Sequence, residues 1–365
     1  MDGPASAMTS RPSIEMPPLP FDSLESFLTG AAQWIERSLP DYLPRGEPAA
    51  FLYDLARDYP LRGGKRFRPA LLLLSAALAG GDPARALPSA VALELFHNFA
   101  LVHDDIEDGS EMRRGRPALH RAHGVALALN AGDLLFSLVH QALLDNGRVL
   151  GAEPALEVNR RFAEMFRHTF EGQAMDIGWI RTGHFPGREE FETMIRLKTG
   201  WYSGRGPCQV GALIGGGDPA LIDTLGQFGE TLGIGFQLRD DLLNLVADSA
   251  DTAPGVLSGG YGKERGGDMA EGKRTLIVIE LLERLSEPDG HTLRGILSKP
   301  PEDTTPQDVA WAIRQAETTG ALDAVRLHCA GLGRRAGELA RKLPQSPQQQ
   351  LLADLSRYLI LERGS

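Results

Sequence analysis

Four acidic side chains occur within five positions at the end of a largely apolar run, Ala90 to Val102: Asp104, Asp105, Glu107 and Asp108. If this run is helical, Asp104 and Asp108 are four residues apart and share a face. Carboxylates this close repel one another unless a cation lies between them, and hard oxygen ligands suit Mg²⁺ or Ca²⁺. An isolated acidic cluster can equally be a solvated helix end, so the metal-site hypothesis needs support from the rest of the chain.

A second cluster repeats the pattern at the end of another long apolar segment. There Asp240 and Asp241 are followed by Asn244, an oxygen ligand four residues after the first aspartate. If the two helices face each other, their ends form a cage with room for several divalent cations. Because Mg²⁺ usually adds substrate phosphate oxygens to one or two carboxylates, the cage implies a phosphorylated ligand.

Two basic turns could supply the counter-charges for phosphate groups. Arginine suits this role because its planar guanidinium matches phosphate oxygens. One turn contains Lys65, Arg66 and Arg68, and the other contains Arg113, Arg114 and Arg116.

Composition restricts the classes of function open to this 365-residue chain. The net charge of −10 and the pI near 5.5 argue against a nucleic-acid-binding surface. No stretch approaches the roughly 20 uninterrupted apolar residues that span a bilayer, and no secretory signal is recognisable. The two cysteines, Cys208 and Cys329, show no metal-binding spacing, which is typical of a protein of the reducing cytoplasm.

The elements that must position these residues are helices. Hydrophobic periodicity predicts an all-α chain, with its clearest helices over 21–39, 47–57, 124–146, 153–181, 188–205 and 219–246. The proline-rich segment 1–20 is expected to be a disordered tail, which leaves residues 21–365 as one domain. The Gly- and Ser-rich segment 247–272 is expected to be a mobile loop.

From about Phe21 to its end the chain resembles the trans-isoprenyl diphosphate synthases, also called polyprenyl synthetases. The resemblance depends on several motifs in the family's order. These are Gly63–Pro69 (GGKRFRP), Asp104–Asp108 (DDIED) followed by Arg113-Arg114-Gly115, Lys198-Thr199, Gly235–Asp241 (GFQLRDD), Gly262-Lys263, and Gly272–Thr275 (GKRT). The resemblance implies a single large helical bundle around a deep central cavity, usually in a homodimer.

The resemblance also implies a role for each motif residue in a prenyl transfer from an allylic diphosphate to isopentenyl diphosphate. It assigns the central catalytic roles to Asp104, Asp105, Asp108, Asp240 and Lys198. Three Mg²⁺ ions, with Mn²⁺ as a substitute, are expected on Asp104, Asp105, Asp108, Asp240, Asp241 and Asn244. The allylic diphosphate is expected on Arg113, Lys198, Thr199, Gln237, Lys263 and Lys273, and isopentenyl diphosphate on Lys65, Arg68, His97 and Arg114.

In this family, side chains just before the first aspartate motif set the length of the product. Here these are Phe99 and Ala100, an aromatic beside a small residue. That combination is similar to the one in bacterial geranylgeranyl diphosphate synthases and implies a C20 product, with farnesyl or longer diphosphates as alternatives. A helical wheel places Ala100, and not Phe99, directly beneath Asp104, so the stopper role of Phe99 comes from the resemblance alone.

Two departures from the family pattern leave other functions open. The second motif ends in Asn244 where many members have aspartate, and the loop 248–261 is longer than usual, either as a lid or as an inert insertion. A terpene cyclase on the same scaffold and a non-catalytic partner subunit are the alternatives. The complete isopentenyl diphosphate set argues against the cyclase, and the presence of both acidic clusters argues against the inactive subunit.

Overall fold

Helix α4, which ends in the first acidic cluster, lies in the core of the fold. In a computed structural model, which describes residues 16–246 and 265–362, it spans Leu87–Glu107, and Val91, Leu93, Leu95 and Phe96 along it are fully buried. A helix buried on all its faces forms the core of a bundle rather than its surface. The all-α prediction is therefore confirmed.

The other helices surround α4 in a single bundle. Helix α4 packs mainly against α6 and α3, while α11 packs against α10, α16 and the π-helical segment Arg196–Arg205. The helices are α1 (Leu24–Tyr42), α2 (Asp54–Leu61), α3 (Phe67–Leu78), α4 (Leu87–Glu107), α5 (Leu119–His123), α6 (Val125–Leu144), α7 (Asn146–Leu150), α8 (Ala152–Thr182), α9 (Arg188–Ile195), α10 (Gly206–Ile214), α11 (Pro219–Val246), α12 (Gly267–Ala270), α13 (Leu276–Arg284), α14 (Glu287–Leu297), α15 (Pro306–Thr318), α16 (Ala321–Ala340) and α17 (Pro347–Arg357).

Short elements connect these helices. Two further π-helical segments and two 3₁₀ turns occur at Ala49–Tyr53, Tyr358–Glu362, Pro83–Ala86 and Pro301–Asp303. The second basic turn forms a small antiparallel hairpin, in which β1 (Met112–Arg113) pairs with β2 (Arg116–Pro117). Arg113 of this hairpin forms a salt bridge with Asp105 near the end of α4.

Several boundaries differ from the sequence prediction. Helix α1 continues through Pro40 to Tyr42, whose buried ring donates a hydrogen bond to Asp145 (3.0 Å), so a tertiary contact holds the last turn. The ordered chain also begins before residue 21. Leu19 is buried in the core, and Trp34 donates to the carbonyl of Pro17 (2.9 Å). Residues 16–20 of the predicted tail 1–20 are therefore part of the folded chain, and residues 1–15 lie outside the described residues.

The predicted loop 247–272 is partly structured. Its first part, including the 248–261 insertion and Lys263, lies outside the described residues. Its last part forms the single turn α12. This turn is followed by Lys273 and by Thr275, whose hydroxyl accepts from Val278 N (3.4 Å) and caps the start of α13.

One helical stretch, Val125–Leu150, is long and apolar enough by composition to cross a membrane. The interior helix of a globular protein passes the same test, and 44% of the most apolar window is buried inside the bundle. Polar side chains such as Asp133 and His140 also interrupt it. The stretch is therefore weak evidence for a membrane span.

Candidate active site

One cavity of about 750 Å³ opens at the end of α4 and extends down beside it. Within the described residues, every site residue predicted from the sequence lines this cavity except Asp105 and Asn244. The fold thus brings together motifs from α3, α4, the β1–β2 hairpin, the π segment Arg196–Arg205, α11 and the α12–α13 connection. The predicted ligand Lys263 lies outside the described residues.

Three carboxylates of the first cluster, Asp104, Glu107 and Asp108, line the cavity. Asp104 accepts a hydrogen bond from the side chain of Gln173 (2.9 Å), and Asp108 is paired with Lys273 (3.0 Å). Burial raises the pKa of Asp104 to about 6, and the nearby negative charges of Asp108 and Glu107 act in the same direction. The positive charge of Lys198 opposes this rise. The cavity therefore disfavours this negative charge unless a cation accompanies it.

Asp105 points away from the cavity and has a different environment. Its buried carboxylate accepts hydrogen bonds from Tyr59 (2.5 Å) and from the guanidinium of Arg113. The Tyr59 hydroxyl in turn accepts from the backbone of Leu119 (3.0 Å). This network fixes Arg113 at the cavity edge, so Asp105 orients a cation rather than facing the space where a ligand binds.

The second cluster lies across the cavity on α11. Asp240 and Asp241 both line it, and Gln237 donates to the Asp241 carboxylate (2.9 Å). Burial and the neighbouring charge of Asp268 raise the pKa of Asp241 to about 8. Asn244, at the end of the motif, is fully buried behind this wall.

Two lysine ammonium groups lie among these carboxylates. Lys198 Nζ is 2.5 Å from Asp176, and Lys273 Nζ is 3.0 Å from Asp108 and 2.7 Å from Glu271. Burial alone would lower the pKa of each lysine, but the surrounding carboxylates raise it. These are Asp176 and Asp104 around Lys198, and Asp108 and Asp268 around Lys273. Both side chains therefore remain cations at neutral pH.

Two arginines on the other side of the cavity bond backbone and hydroxyl oxygens. Arg68 donates to Ser203 (2.9 Å) and Tyr202 (2.9 Å), while Arg114 donates to the carbonyls of Tyr59 (3.0 Å) and Gly63. Within the described part of the chain, neither guanidinium makes a salt bridge. Burial lowers the pKa of Arg114 only to about 10, so it stays charged at neutral pH. The positive charge here is available for an anion.

His97 lies beside this basic set. Its Nε2 is 3.4 Å from Arg68 Nη1, and burial followed by the charge of Arg68 holds its pKa well below the usual value. The imidazole is therefore neutral. A neutral ring beside Arg68 can donate one hydrogen bond to an anion without adding charge.

A close approach of two helices places Lys198 in the cavity. Gly172 on α8 lies against the π segment Arg196–Arg205, and a Cβ added at Gly172 would be 2.3 Å from the backbone nitrogen of Lys198. Only glycine permits this contact. The wider π-helical turn, a feature frequent at functional sites, presents Lys198, Thr199 and Tyr202 to the same cavity.

Aromatic rings close the lower end of the cavity. Phe99 lines it together with Phe96 and Phe170, and Phe136 from α6 stacks behind Phe99 with ring centroids 5.0 Å apart. Ala100, also on the lining, leaves space beside the ring. The apolar lower part thus meets an aromatic barrier of more than one layer.

The donor set suits hard divalent cations bound together with a phosphorylated ligand. Carboxylates of Asp104, Asp108, Asp240 and Asp241 line opposite walls. Across residues 16–246 and 265–362, no three His, Cys, Asp or Glu side chains come close enough to hold a metal ion alone. Mg²⁺ usually binds one or two carboxylates, and water and phosphate oxygens complete its coordination.

The raised pKa values predict how the stability of the metal-free protein depends on pH. Asp104 and Asp241 have folded-state pKa values of about 6 and about 8, above the value of about 4 for an unfolded carboxyl. Their contribution to the free energy of unfolding is complete below pH 4 and is lost as pH rises through 6 and 8. Urea unfolding in EDTA measures the free energy of unfolding at pH 5 and at pH 9. Between these two pH values, Asp241→Asn should lose less of this free energy than wild type. An equal loss in both proteins would contradict the assignment.

Several cavity residues were missed from the sequence. Gln173 bridges Asp104 (2.9 Å) and Glu107 (2.5 Å), Asp176 pairs with Lys198, and Asp268 faces Lys273 at 3.8 Å. The three-residue spacing of Gln173 and Asp176 on one face of α8 was a usable signal. Asp268 had none, because its place depends on how the chain folds back after α11.

Comparison with known proteins agrees with this geometry. The profile of the polyprenyl synthetase family matches residues 50–315. The chain is 36% identical to the short chain isoprenyl diphosphate synthase of Methanothermobacter thermautotrophicus, over 94% of this chain and 98% of that protein. It is 33% identical to the geranylgeranyl diphosphate synthase of Methanosarcina mazei, over 89% of this chain and 94% of that protein.

Solved structures agree as well. The fold is similar to that of geranylgeranyl pyrophosphate synthetase from Pyrococcus horikoshii, with a TM-score of 0.82 and 35% identity over 93% of this chain and 98% of that one. It is also similar to geranylgeranyl pyrophosphate synthase from Corynebacterium glutamicum, solved with isoprenyl diphosphate and magnesium. There the TM-score is 0.81 at 28% identity, over 93% and 100% of the two chains.

Proposed function

Because this chain belongs to the polyprenyl synthetase family, we infer that it is a prenyltransferase that condenses isopentenyl diphosphate with an allylic diphosphate. The reaction is a trans, head-to-tail (1′-4) chain elongation. The presence of two separate cation sets around one cavity supports this function best. Lys198 and Lys273 lie among carboxylates, whereas among the described residues Arg68 and Arg114 hydrogen-bond only to neutral groups.

Two diphosphate sites follow from this division of charge. We propose that the allylic diphosphate binds between the aspartate clusters with Arg113, Lys198, Thr199, Gln237, Lys263 and Lys273. Isopentenyl diphosphate binds on Lys65, Arg68, His97 and Arg114, where neither guanidinium forms a salt bridge with any of the described residues. A terpene cyclase needs only one such site, so the second set favours elongation.

The metal site is proposed on the cavity carboxylates Asp104, Asp108, Asp240 and Asp241, with three Mg²⁺ ions as the expected number. When bound, divalent cations neutralise the diphosphate leaving group and so ease cleavage of the allylic C–O bond. Asp105 supports the site by holding Arg113 through three hydrogen bonds. Lys198 and Arg113 add fixed positive charge where negative charge develops.

The remaining steps need no side-chain base. The double bond of isopentenyl diphosphate attacks the allylic carbon to form the new C–C bond, and loss of a proton restores an alkene. The released diphosphate, held beside Lys198, is the proposed proton acceptor. The apolar lining formed by Phe96, Phe99 and Phe170 keeps water from the cationic carbon.

We propose geranylgeranyl diphosphate as the main product. Phe99 blocks the lower cavity while Ala100 leaves room beside it, and the M. mazei and P. horikoshii relatives carry geranylgeranyl diphosphate synthase names. A geranylfarnesyl diphosphate synthase of Natronomonas pharaonis, 30% identical, keeps a longer product as the alternative.

The test is incubation of the purified chain with isopentenyl diphosphate, Mg²⁺ and dimethylallyl, geranyl or farnesyl diphosphate, followed by chromatography of dephosphorylated products. A C20 alcohol is expected from each starter. Cyclic hydrocarbons formed without consumption of isopentenyl diphosphate would indicate a cyclase. No product from any starter would contradict the proposal.

We propose that the active protein is a homodimer formed through α6. This helix exposes Val125, Leu129 and Leu144, and the first two are four residues apart and share a face. Exposed apolar side chains that share a face are typical of an interface, and a second copy of the chain is the simplest partner.

The dimer predicts a clear response to one substitution. Leu129→Glu places a charge on this exposed apolar face and is expected to convert the dimer to a monomer in light scattering after gel filtration. Leu327→Glu, at a leucine on α16 that is more exposed than Leu129, is the control and should remain dimeric. A monomeric wild type, or a dimeric Leu129→Glu protein, would refute the interface.

A further inference from the structure

Asn244 does not occupy the place expected of a metal ligand. Although it follows Asp240 by four residues, it is fully buried and does not line the cavity. Its side-chain Oδ1 accepts a hydrogen bond from the backbone nitrogen of Asp268 (3.2 Å), and its carbonyl accepts from Gly266 N (2.8 Å). These two hydrogen bonds therefore attach Asn244 to the start of α12, which lies beside the cavity.

Asp268, whose backbone nitrogen donates to Asn244, is an acidic residue that lines the cavity. The side chain of Asp268 is nearly buried, and its Oδ1 is 3.8 Å from Lys273 Nζ. The same ammonium group is 3.0 Å from Asp108 Oδ2, so one cation lies between Asp268 and the first aspartate cluster. Asp268 is also close to Asp241, since its charge is the main influence after burial that raises the pKa of that carboxyl.

We propose that Asp268 is a further carboxylate of the divalent-cation site and that Asn244 is the positioning residue that holds it there. This inference rests on the proposed function, because it adds a residue to the same site. The second motif has no acidic charge at position 244, and Asp268 of α12 supplies a carboxylate instead. A carboxylate in this position can bind Mg²⁺ directly or through a coordinated water.

The arrangement gives Asn244 a physical reason to be neutral. Its oxygen is needed as an acceptor for the Asp268 N–H, and an amide provides that acceptor without a further buried charge beside Asp241 and Asp268. A residue that orients a metal ligand in this way usually changes metal affinity by 10- to 100-fold when it is replaced.

The first experiment measures binding of Mn²⁺ in the presence of inorganic diphosphate, by electron paramagnetic resonance of free Mn²⁺. Asp268→Asn is expected to weaken Mn²⁺ binding about tenfold or more. Glu271→Gln is the matched control, because Glu271 pairs with the same Lys273 ammonium (2.7 Å) but does not line the cavity. It should bind Mn²⁺ within about threefold of wild type. Equal weakening in both variants would show that Asp268 acts only on Lys273 and would overturn the proposal.

The second experiment tests the role of Asn244 with a double-mutant cycle. Asn244→Ala should weaken Mn²⁺ binding about tenfold, and Asn244→Asp should restore it because a carboxylate oxygen also accepts the Asp268 N–H. In the Asp268→Asn background, Asn244→Ala should add no further loss. Additive losses would mean that Asn244 acts independently of Asp268 and would refute the positioning role. Melting temperatures of all variants separate loss of fold from loss of binding.

The same preparation separates this inference from the proposed function. A wild-type protein that binds Mn²⁺ and diphosphate but elongates no allylic substrate counts against the prenyltransferase and leaves the Asp268 comparison valid. An active wild type whose Mn²⁺ affinity is unchanged by Asp268→Asn overturns only the inference.

Discussion

Replacement of Asp104 by alanine is expected to lower the rate of prenyl transfer by about 10³-fold or more while the protein remains folded. Asp104 is the carboxylate of α4 that faces both Lys198 and the hydrogen-bonding side chain of Gln173. Without it, cations that neutralise the leaving diphosphate lose a ligand on this wall. The effect should appear mainly in kcat, because the charge on the diphosphate is greatest as the C–O bond breaks.

The fold should tolerate this change. The raised pKa of Asp104 means that its charge is unfavourable in the metal-free structure, so removing the carboxylate does not remove a stabilising ion pair. The melting temperature in EDTA should therefore equal or exceed that of wild type. Asp323→Asn, at an exposed aspartate on α16, is the control for preparation and should keep full activity. Turnover of Asp104→Ala near the wild-type rate would remove this residue from the metal site.

Replacement of Phe99 by alanine is expected to shift the main product from C20 to longer chains. Phe99 is one of two rings of α4 that line the lower cavity, and its removal opens space directly below the growing chain. The rings next to Phe99 limit how much longer the product can become. Phe136 lies behind it at 5.0 Å between centroids and Phe170 lies beside it at 6.0 Å, so a second aromatic layer remains.

This layering makes the prediction specific. Phe99→Ala alone should lengthen products by one or two isoprene units, Phe136→Ala alone should leave the distribution unchanged, and the double variant should extend it further. Phe162→Leu, a buried aromatic that does not line the cavity, is the control and should give wild-type products. Chromatography of dephosphorylated products checks all four proteins. Unchanged products from Phe99→Ala would refute the stopper role.

The stopper also shows a limit of helical periodicity. A helical wheel places Ala100 beneath Asp104, yet both Phe99 and Ala100 line the observed cavity. The cavity is wider than one face of α4 because α8 and the π segment Arg196–Arg205 complete it. The wheel describes one helix, whereas the floor is made by aromatic rings from α4, α6 and α8.

The sequence by itself determined the all-α class, the family and most of the cavity lining. It could do so because the two aspartate clusters, the basic turns and Lys198-Thr199 are local patterns whose residue types limit the chemistry. Helix boundaries near Pro40 and Leu61 were less predictable, because tertiary contacts such as that between Tyr42 and Asp145 stabilise turns that local signals would end.

Only the tertiary structure decided which members of each motif face the ligand. Asp105 and Asn244 fit the spacing of metal ligands, but the first is turned to Arg113 and Tyr59 and the second to the backbone of Asp268. Gln173 and Asp268 reach the cavity from segments without a recognised motif. The physical reason is that a hydrogen bond or a charge pair depends on which atoms meet in space. Spacing along one helix fixes only the shared face, while the partners come from elements far away in the sequence.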